Sequence, residues 1–334
     1  MDTILFEAHH PSHVLFAFAL KDRFEQHGLN MHLILQSRPE AVKLAKELNL
    51  DFELYPQRRR GFFSTMLNLF QGWKAVIRAI KISKPKLVVS ISGVYTSFPA
   101  RICGVKNILF TDTETALFSH IIAYPFADKI FHPSSYRIEL DKAAFLSAKK
   151  RKIYDGHQET AYMTSNAFLE IIRQFKPAEK KYAFIRAIAW GAYHEEANHS
   201  NWNNIIDSLF QLGIKNIIAS CESAPPEELR PFVFQASSLE YHSYLRNASI
   251  VITEGATTAT EATYYRAPVI FINKNLYGTI QDSKKNGLLL YANNFDEAKE
   301  ILKNINLLEL KEKLSSMNPP KKINPLELIY SELN

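Results

Sequence analysis

Three imidazoles and one carboxylate lie within the seven residues Glu7–His13, directly after the first predicted strand of this 334-residue chain. Imidazole changes its charge near neutral pH, so His10 and His13 are candidate general bases. Ser12 or His13 is also placed to cap the next helix, whose free N–H groups favour an anion. A plain helix-capping loop is the alternative. Metal binding is disfavoured, because the adjacent His9 and His10 do not easily face one ion.

A second candidate site follows a predicted buried strand that ends near residue 253. The strand runs into a glycine turn and then into a helix of small residues, which lets a ligand approach the backbone. N–H groups at a helix start suit a diphosphate, and Glu261, one turn further on, is a candidate partner of ribose hydroxyls. A tight packing turn would need only Ala and Gly, so nucleotide binding is favoured. The predicted contacts are Glu254, Gly255, Ala256, Thr257, Thr258 and Glu261.

Two further places carry charged side chains at predicted strand ends. Asp112 and Glu114 are two residues apart and are candidates for an acid–base or acceptor-orienting pair. The alternative is that Asp112 or Thr113 caps a helix, with Glu114 as a favourable first-turn charge. Arg186 is predicted either to pair with a phosphate or to form a surface ion pair.

Short apolar runs alternate with helical patterns along the chain, which predicts βαβ units and parallel sheets. We expect an N-terminal domain over 1–160, a linker over 161–180, a C-terminal domain over 181–318 and a tail over 319–334 that serves as a connector. The predicted strands are 3–6, 32–36, 52–55, 87–91, 107–110 and 129–131, then 182–188, 216–220, 250–253 and 269–272. The predicted helices are 13–27, 39–48, 62–82, 202–212, 239–247 and 257–266, with two more from Asp296 and Leu307.

Composition excludes several classes of protein. The chain is 46% hydrophobic and has no apolar run near the ~18–20 residues of a membrane span, so we expect a cytoplasmic protein. Cys103 and Cys221 are too few and too far apart for a disulfide framework. His194 and His199 do not share a helix face, so no metal is predicted. Neither a dinucleotide fingerprint nor a P-loop occurs, which disfavours dehydrogenases and P-loop kinases, and we predict no cofactor.

The net charge of +6 is concentrated in the first half of the chain. No acidic residue occurs between Glu53 and Asp112, whereas ten basic residues do. Such a field attracts anionic ligands or membrane surfaces, and no nucleic-acid-binding module is recognisable. The segment Arg58–Ile82 is similar to a basic amphipathic surface element. Its apolar positions favour a helix packed on its sheet, and peripheral membrane contact is the alternative.

Four segments, in order, resemble the domain-of-unknown-function family numbered 354. That family is similar to a branch of the GT-B glycosyltransferase and UDP-N-acetylglucosamine 2-epimerase superfamily, and the resemblance covers roughly residues 1–315. It implies an α/β fold with two Rossmann-like domains whose parallel sheets face each other across a cleft. The segments are HHPSHVLFAFALKDRFEQHG, FTDTETALFSHIIAYPFADKIFHPSSY, IYDGHQETAYM and ITEGATTATEATYYRAPVIFIN.

The resemblance also implies roles for single residues. Gly255–Thr258 would hold the diphosphate and Glu261 the ribose, while His13 and its neighbours would face the sugar or the acceptor. Asp112 and Glu114 match a D-x-E segment of the family, and Tyr154, Gly156 and Glu159 match its Y-x-G-x-x-E segment.

The sequence departs from this pattern in two places. A D-S/G-G-T-type turn is replaced by Glu254-Gly255-Ala256-Thr257, and the H-R-x-E-N segment of the true epimerases is absent, since the corresponding strand ends in Phe184–Ile188. The second departure weakens the epimerase interpretation.

Taken together, these observations predict a metal-independent glycosyltransferase. Its donor is a UDP-sugar and its acceptor a saccharide or a lipid-linked molecule, in the synthesis of surface polysaccharide or glycolipid. The alternatives are a UDP-sugar 2-epimerase or hydrolase, and a non-catalytic protein that binds nucleotide sugars.

Overall fold

A computed structural model describes residues 2–56, 62–177, 181–188, 201–222, 224–234, 237–317 and 322–333. Arg58–Arg60, His194 and His199 lie outside these residues. The chain divides into two compact units, unit 1 with Met1–Glu170 and Lys321–Asn334, and unit 2 with Ile171–Pro320. Each unit is built on one parallel sheet.

The sheet of unit 1 has seven strands in the order β3-β2-β1-β4-β5-β6-β7, and all neighbours are parallel. The chain winds outward in both directions from the neighbouring strands β1 and β4, and ligands of such sheets bind at the carboxyl edge of this switch point. The strands are β1 (Thr3–Ala8), β2 (Asn30–Gln36), β3 (Glu53–Tyr55), β4 (Leu87–Ile91), β5 (Lys106–Phe110), β6 (Lys129–Pro133) and β7 (Arg151–Tyr154).

The helices of unit 1 correct one prediction of the sequence. The first helix begins at Pro11, whose missing N–H costs nothing at that position, and its N-cap is His10. The predicted cap at Ser12 or His13 is therefore wrong. The helices are α1 (Pro11–Glu25), α2 (Pro39–Glu47), α3 (Phe62–Ser83), α4 (Ser97–Ile102), α5 (Leu117–Ala123), α6 (Ala144–Ser147) and α7 (Thr160–Met163). A further helix, α8 (Asn166–Gln174), begins in unit 1 and ends in unit 2.

Unit 2 has a five-stranded parallel sheet in the order β12-β11-β10-β8-β9, with its switch point between β8 and β10. Its strands are β8 (Tyr182–Ala187), β9 (Asn216–Cys221), β10 (Ile250–Thr253), β11 (Val269–Ile272) and β12 (Leu290–Ala292). Its helices are α9 (Trp202–Gln211), α10 (Ser238–Asn247), α11 (Ala256–Tyr264), α12 (Gly278–Lys285), α13 (Phe295–Asn304) and α14 (Leu307–Ser316).

The C-terminal segment belongs to unit 1 and ends in a helix, α15 (Pro325–Ser331), where the sequence predicts a connector. The ring of Tyr330 packs against Phe24 and His27. Beyond the helix, the Glu332 carboxylate lies 2.7 Å from Nζ of Lys129 and 3.1 Å from Nζ of Lys106. These contacts attach the end of the chain to the first sheet.

Candidate functional site

The turn after β10 in unit 2 leads directly into α11, with Gly255 as the N-cap. In the described residues no side chain caps this helix, and the main-chain N–H of Gly255 donates to Oγ1 of Thr253 at 3.0 Å. Gly255, Ala256 and Thr257 are only half-buried. The helix therefore begins, without a side-chain cap among the described residues, at half-buried positions of the switch point between β8 and β10, where an anion site is expected.

Gly255 is needed here for space and not for backbone conformation. Its φ is −92°, which any residue adopts. A Cβ at this position would lie 3.3 Å from Cγ2 of Ile188 and 3.7 Å from Oγ1 of Thr258. A side chain at 255 would thus occupy the space in front of the helix N-terminus.

Arg186 lies on β8, beside Thr253 of β10 in the parallel register. Its guanidinium donates to Oγ of Ser220 at 2.7 Å and to Oε1 of Glu222 at 3.0 Å, and it lies 5.7 Å from the ring centre of Tyr241. The cation is thus at the switch point and has a counter-ion. This position is compatible with both roles predicted for Arg186, the pairing with a phosphate and the surface ion pair.

The two predicted carboxylates of the second loop, Glu254 and Glu261, are buried. Oε2 of Glu254 accepts the main-chain N–H of Ile188 at 3.2 Å, which ties the ends of β8 and β10 together. Oε1 of Glu261 lies 3.9 Å from Nε2 of His242, and burial lowers the pKa of His242 to about 3, so this imidazole is neutral. The predicted contact of Glu261 with ribose stays a prediction.

The sequence analysis missed Tyr241, whose hydroxyl lies 2.7 Å from Oγ1 of Thr258. Tyr241 lies in α10, outside the sequence motif around Gly255. That motif therefore does not indicate its contact with the first turn of α11. It fixes the hydroxyl of Thr258 beside the helix N-terminus.

In unit 1, the three histidines after β1 occupy different environments. Nδ1 of His10 accepts the main-chain N–H of Ser12 at 3.3 Å and so serves the helix cap. His13 is buried, and burial, followed by the charges of His9 and His10, lowers its pKa well below 6.5. His9 instead lies 3.1 Å from the buried carboxylate of Glu7. The catalytic roles predicted for His10 and His13 stay predictions.

Asp112 and Glu114 follow β5 in a turn, and α5 begins only at Leu117 with Ala116 as its N-cap. The alternative role of Asp112 or Thr113 as a helix cap is therefore wrong. Glu114 is buried and accepts the main-chain N–H of Arg137 at 3.1 Å. Burial of the Asp112 carboxyl, with the nearby charge of Glu114, raises its pKa to about 6, against lowering contributions from Thr113 and His157.

A buried polar network beneath this turn was missed by the sequence analysis. Oδ1 of Asp141 lies 3.0 Å from Nδ1 of His120, and Oδ2 accepts the hydroxyls of Tyr124 at 3.1 Å and Tyr136 at 2.8 Å. Nε2 of His120 lies 3.5 Å from Oγ1 of Thr111, the residue before Asp112. The network thus supports the turn that carries Asp112. His120 and Tyr124 come from α5 and its C-cap, whereas Tyr136 and Asp141 lie more than ten residues further along the chain, so no single sequence motif contains the network.

Helix α3 packs on the first sheet through Leu69, Val76 and Ala79, which are buried. On its outer face, Leu67 and Phe70 are 45% and 56% exposed. Lys74, Arg78 and Lys81 are exposed as well. The helix therefore combines core packing with an apolar and basic surface. None of the helices in the described part of the chain is long and apolar enough to cross a lipid bilayer.

No protein-family model matches the chain, and no curated protein matches it. Solved structures, however, are similar over its whole length. The UDP-GlcNAc 2-epimerase of Neisseria meningitidis bound to UDP-GlcNAc has a TM-score of 0.74 at 11% identity and covers 99% of this chain and 98% of its own. MurG of Acinetobacter baumannii has a TM-score of 0.57 at 14% identity and covers 99% of both chains.

The glycotransferase of kitacinnamycin is similar as well, with a TM-score of 0.57 at 10% identity and 99% of both chains covered. The chain has a GT-B fold. The predicted fold class, with two Rossmann-like units, is confirmed. At identities of 10% to 14% the similarity establishes the GT-B fold alone. Membership of the family numbered 354 stays a prediction that depends on the four motifs.

Proposed function

We propose that this GT-B protein is a glycosyltransferase that takes its sugar from a UDP-linked donor. The observation that carries this proposal is the half-buried N-terminus of α11, which no described side chain caps, at the switch point of the second sheet, with Arg186 on the adjacent strand. Helix N–H groups and a guanidinium are the groups that bind a diphosphate best. UDP is favoured as the nucleotide because the similar structure from Neisseria meningitidis is bound to UDP-GlcNAc.

The same groups account for the departure of the leaving group. As the bond between the sugar carbon C1 and the diphosphate oxygen breaks, its electron pair stays on the diphosphate. The N–H groups of residues 256–258 and the charge of Arg186 stabilise that negative charge without a protein-bound metal. Thr257 and Thr258 add hydroxyl donors, and Glu254 and Glu261 support the turn and the ribose.

The residues that the sequence predicts for the acceptor side of the reaction lie in unit 1. The acceptor hydroxyl attacks C1 and loses its proton to a group of unit 1, for which the sequence predicts His10, His13, Asp112 or Glu114. With a pKa of about 6, Asp112 is mostly ionised at neutral pH and accepts hydrogen bonds from sugar hydroxyls. The exposed Leu67 and Phe70 beside Lys74 suit an acceptor borne by an anionic membrane.

A UDP-sugar 2-epimerase or hydrolase is the second candidate, and one observation favours it. Asp112 has a raised pKa and lies near a second carboxylate, Glu114, as groups that exchange protons with a substrate do. The TM-score of 0.74 with a UDP-GlcNAc 2-epimerase agrees with this candidate. It would need no acceptor other than water.

One experiment separates the candidates. The protein is incubated with UDP-GlcNAc alone and with octyl β-N-acetylglucosaminide, a saccharide acceptor with an alkyl chain, and UDP and sugar products are followed. The transferase releases UDP only slowly without the acceptor and at least tenfold faster with it. An epimer or free sugar formed at full rate without acceptor would favour the second candidate. Binding of UDP without any turnover would indicate a non-catalytic nucleotide-sugar-binding protein.

A further inference from the structure

We propose that Tyr241 is a positioning residue of the diphosphate site, where it orients the hydroxyl of Thr258 and supports the guanidinium of Arg186. This inference deepens the proposed function and rests on its diphosphate site. All three residues belong to unit 2, and they come from three different elements, α10, α11 and β8. In this role Tyr241 touches no ligand itself and prepares two other side chains that bind the phosphates.

The position of Tyr241 is fixed from two sides. It lies at the start of α10, where Ser237 and Glu240 form a capping box with hydrogen bonds of 2.8 and 3.1 Å. The main-chain N–H of Tyr241 donates to the carbonyl of Ser237 at 3.0 Å. Its ring meets that of Phe184 on β8 edge to face, with the ring centres 5.3 Å apart. Because both the main chain and the ring are held, the hydroxyl has a defined position.

The hydrogen bond between Tyr241 and Thr258 has a direction that suits an anion. The two hydroxyl oxygens lie 2.7 Å apart, and neither makes another hydrogen bond within the described part of the chain. Burial, followed by the charge of Glu261, raises the pKa of Tyr241, so the phenol keeps its hydrogen. A buried phenol hydrogen needs an acceptor, and among the described residues Oγ1 of Thr258 supplies it. Tyr241 therefore donates, and the hydroxyl hydrogen of Thr258 is left for another acceptor.

The hydroxyl of Thr258 lies beside the place proposed for the diphosphate. Its Oγ1 is 3.7 Å from the position that a Cβ on Gly255, the N-cap of α11, would occupy. No side chain fills this position, because residue 255 is glycine. A phosphate oxygen there accepts the hydroxyl of Thr258 together with main-chain N–H groups of the first turn. Tyr241 thus makes Thr258 a donor toward an anion.

The ring of Tyr241 also supports the cation of the site. The ring centre lies 5.7 Å from the guanidinium carbon of Arg186, within the range of a cation–π contact. Such a contact leaves the guanidinium N–H groups available, and they donate to Ser220 and Glu222 at 2.7 and 3.0 Å. The aromatic face therefore holds the cation at the switch point while its N–H groups can exchange Glu222 for a phosphate.

Binding of UDP and of uridine tests this role, since uridine lacks both phosphates. Tyr241→Phe keeps the ring and removes the hydroxyl, so it should weaken UDP binding about fivefold and change uridine binding less than twofold. A tyrosine with a merely structural role would change both affinities or neither. Isothermal titration calorimetry measures the affinity for UDP, and ligand-observed NMR measures the affinity for uridine.

Tyr182→Phe is the matched control. The Tyr182 hydroxyl donates to the main-chain carbonyl of Tyr244 at 2.7 Å, at the start of β8 and four residues before Arg186. Its removal costs a hydrogen bond of the same kind but leaves Thr258 and Arg186 untouched. The thermal midpoint should therefore fall, while the affinities for UDP and uridine stay within twofold of wild type.

A double-variant cycle separates the hydroxyl of Tyr241 from its ring. Because the hydroxyl acts through Thr258, Tyr241→Phe combined with Thr258→Val should bind UDP as Thr258→Val alone does. Arg186→Gln should weaken UDP binding by the same factor with or without Tyr241→Phe, since the ring is retained. In Tyr241→Leu, which removes the ring, the loss caused by Arg186→Gln should be at least twofold smaller. Should Tyr241→Leu fail to fold, Tyr241→Met takes its place.

The outcomes that overturn the inference differ from those that overturn the proposed function. If wild type binds UDP but Tyr241→Phe binds it equally well, or weakens UDP and uridine alike, Tyr241 is not a positioning residue. The same follows if the effects of Tyr241→Phe and Thr258→Val multiply. If wild type binds no UDP at millimolar concentration, the diphosphate site and the role of Tyr241 fail together. Failure of the transfer reaction alone is seen as UDP binding without turnover, which leaves the role of Tyr241 in binding intact.

Discussion

The guanidinium of Arg186 and the carboxylate of Glu222 lie 3.0 Å apart at the carboxyl ends of the adjacent strands β8 and β9. Where we propose that a diphosphate binds, the protein thus already contains an anion. Glu222 is 40% exposed at its side chain, so water screens the pair and its stabilisation is small. A diphosphate can therefore displace Glu222 at little cost.

The first prediction concerns this competition. Glu222→Gln removes the competing charge and should tighten UDP binding about three- to tenfold, whereas Arg186→Gln should weaken it at least tenfold. Isothermal titration calorimetry with UDP measures both changes. Ser220→Ala, which removes only one hydrogen bond of Arg186, is the matched control and should change affinity less than threefold. Equal affinity for UDP in all three variants would show that Arg186 does not take part in UDP binding.

The second prediction concerns the space in front of α11. Gly255→Ala should leave the fold intact, because φ at this position suits alanine and the closest atom, Cγ2 of Ile188, lies 3.3 Å from the new Cβ. UDP binding should nevertheless weaken about tenfold, since the methyl group occupies space at the helix N-terminus. The thermal midpoint checks the fold and a UDP titration checks the site. Undiminished binding with an unchanged midpoint would place the diphosphate elsewhere.

The third prediction follows from the raised pKa of Asp112. Burial, with the charge of Glu114, raises this pKa from 3.8 to about 6. The neutral carboxyl is therefore more favoured in the folded protein than in the unfolded chain. The contribution of Asp112 to stability is then most favourable below about pH 4 and is lost as the pH rises through 6. Asp112→Asn should unfold with a free energy roughly 1 kcal/mol higher than wild type at pH 7.5 and equal to it at pH 4.

Urea titrations at both pH values measure this difference. Asp51→Asn, at an exposed position of the same unit, should change nothing at either pH. The stabilised Asp112→Asn variant should also lose at least tenfold in turnover of UDP-GlcNAc. A variant that is less stable at pH 7.5 than wild type would contradict the raised pKa of Asp112.

The fourth prediction concerns the buried network around Asp141. Burial raises its pKa, but the hydrogen bond from Tyr136 and the charge of His120 outweigh burial, and the net pKa lies below 3.8. This contribution to stability is present above pH 4 and is lost as the pH falls further. Asp141→Ala should cost about 3 kcal/mol at pH 7, because four donors lose their acceptor, namely His120, Tyr124, Tyr136 and the main-chain N–H of Ala143. Asp51→Ala is the control. A loss of unfolding free energy below 1 kcal/mol in Asp141→Ala would show that the network does not stabilise the fold.

Most of the fold was predictable because the apolar patterns of its central strands are strong. Leu87–Ile91 and Ile250–Thr253 are continuous buried runs, and the structure has both with the predicted bounds. Missed elements are short or polar. β7 is an edge strand with an exposed Ile153, β12 has three residues, and α12 carries only one large apolar side chain, Ile280. Such segments are specified by their neighbours and not by their own pattern.

The candidate site was predictable only where its residues are adjacent in the sequence. The turn at Gly255 and the pair Asp112 and Glu114 follow strands, so their place at a sheet edge could be inferred. The buried carboxylate of Glu7 accepts the hydroxyl of Tyr55 at 2.6 Å, although the two residues are 48 positions apart and meet only through the order of β1, β2 and β3. The contact of Asp141 with His120 is of the same kind, since it joins a turn to a distant helix.

A crystal structure of the protein with UDP tests the diphosphate site at the N-terminus of α11. We expect diphosphate oxygens within about 3 Å of the main-chain N–H groups of residues 256–258. We also expect the Arg186 guanidinium to contact the diphosphate. A nucleotide bound at another edge of the second sheet would rule this site out, as would a crystal soaked in millimolar UDP with no nucleotide at the N-terminus of α11.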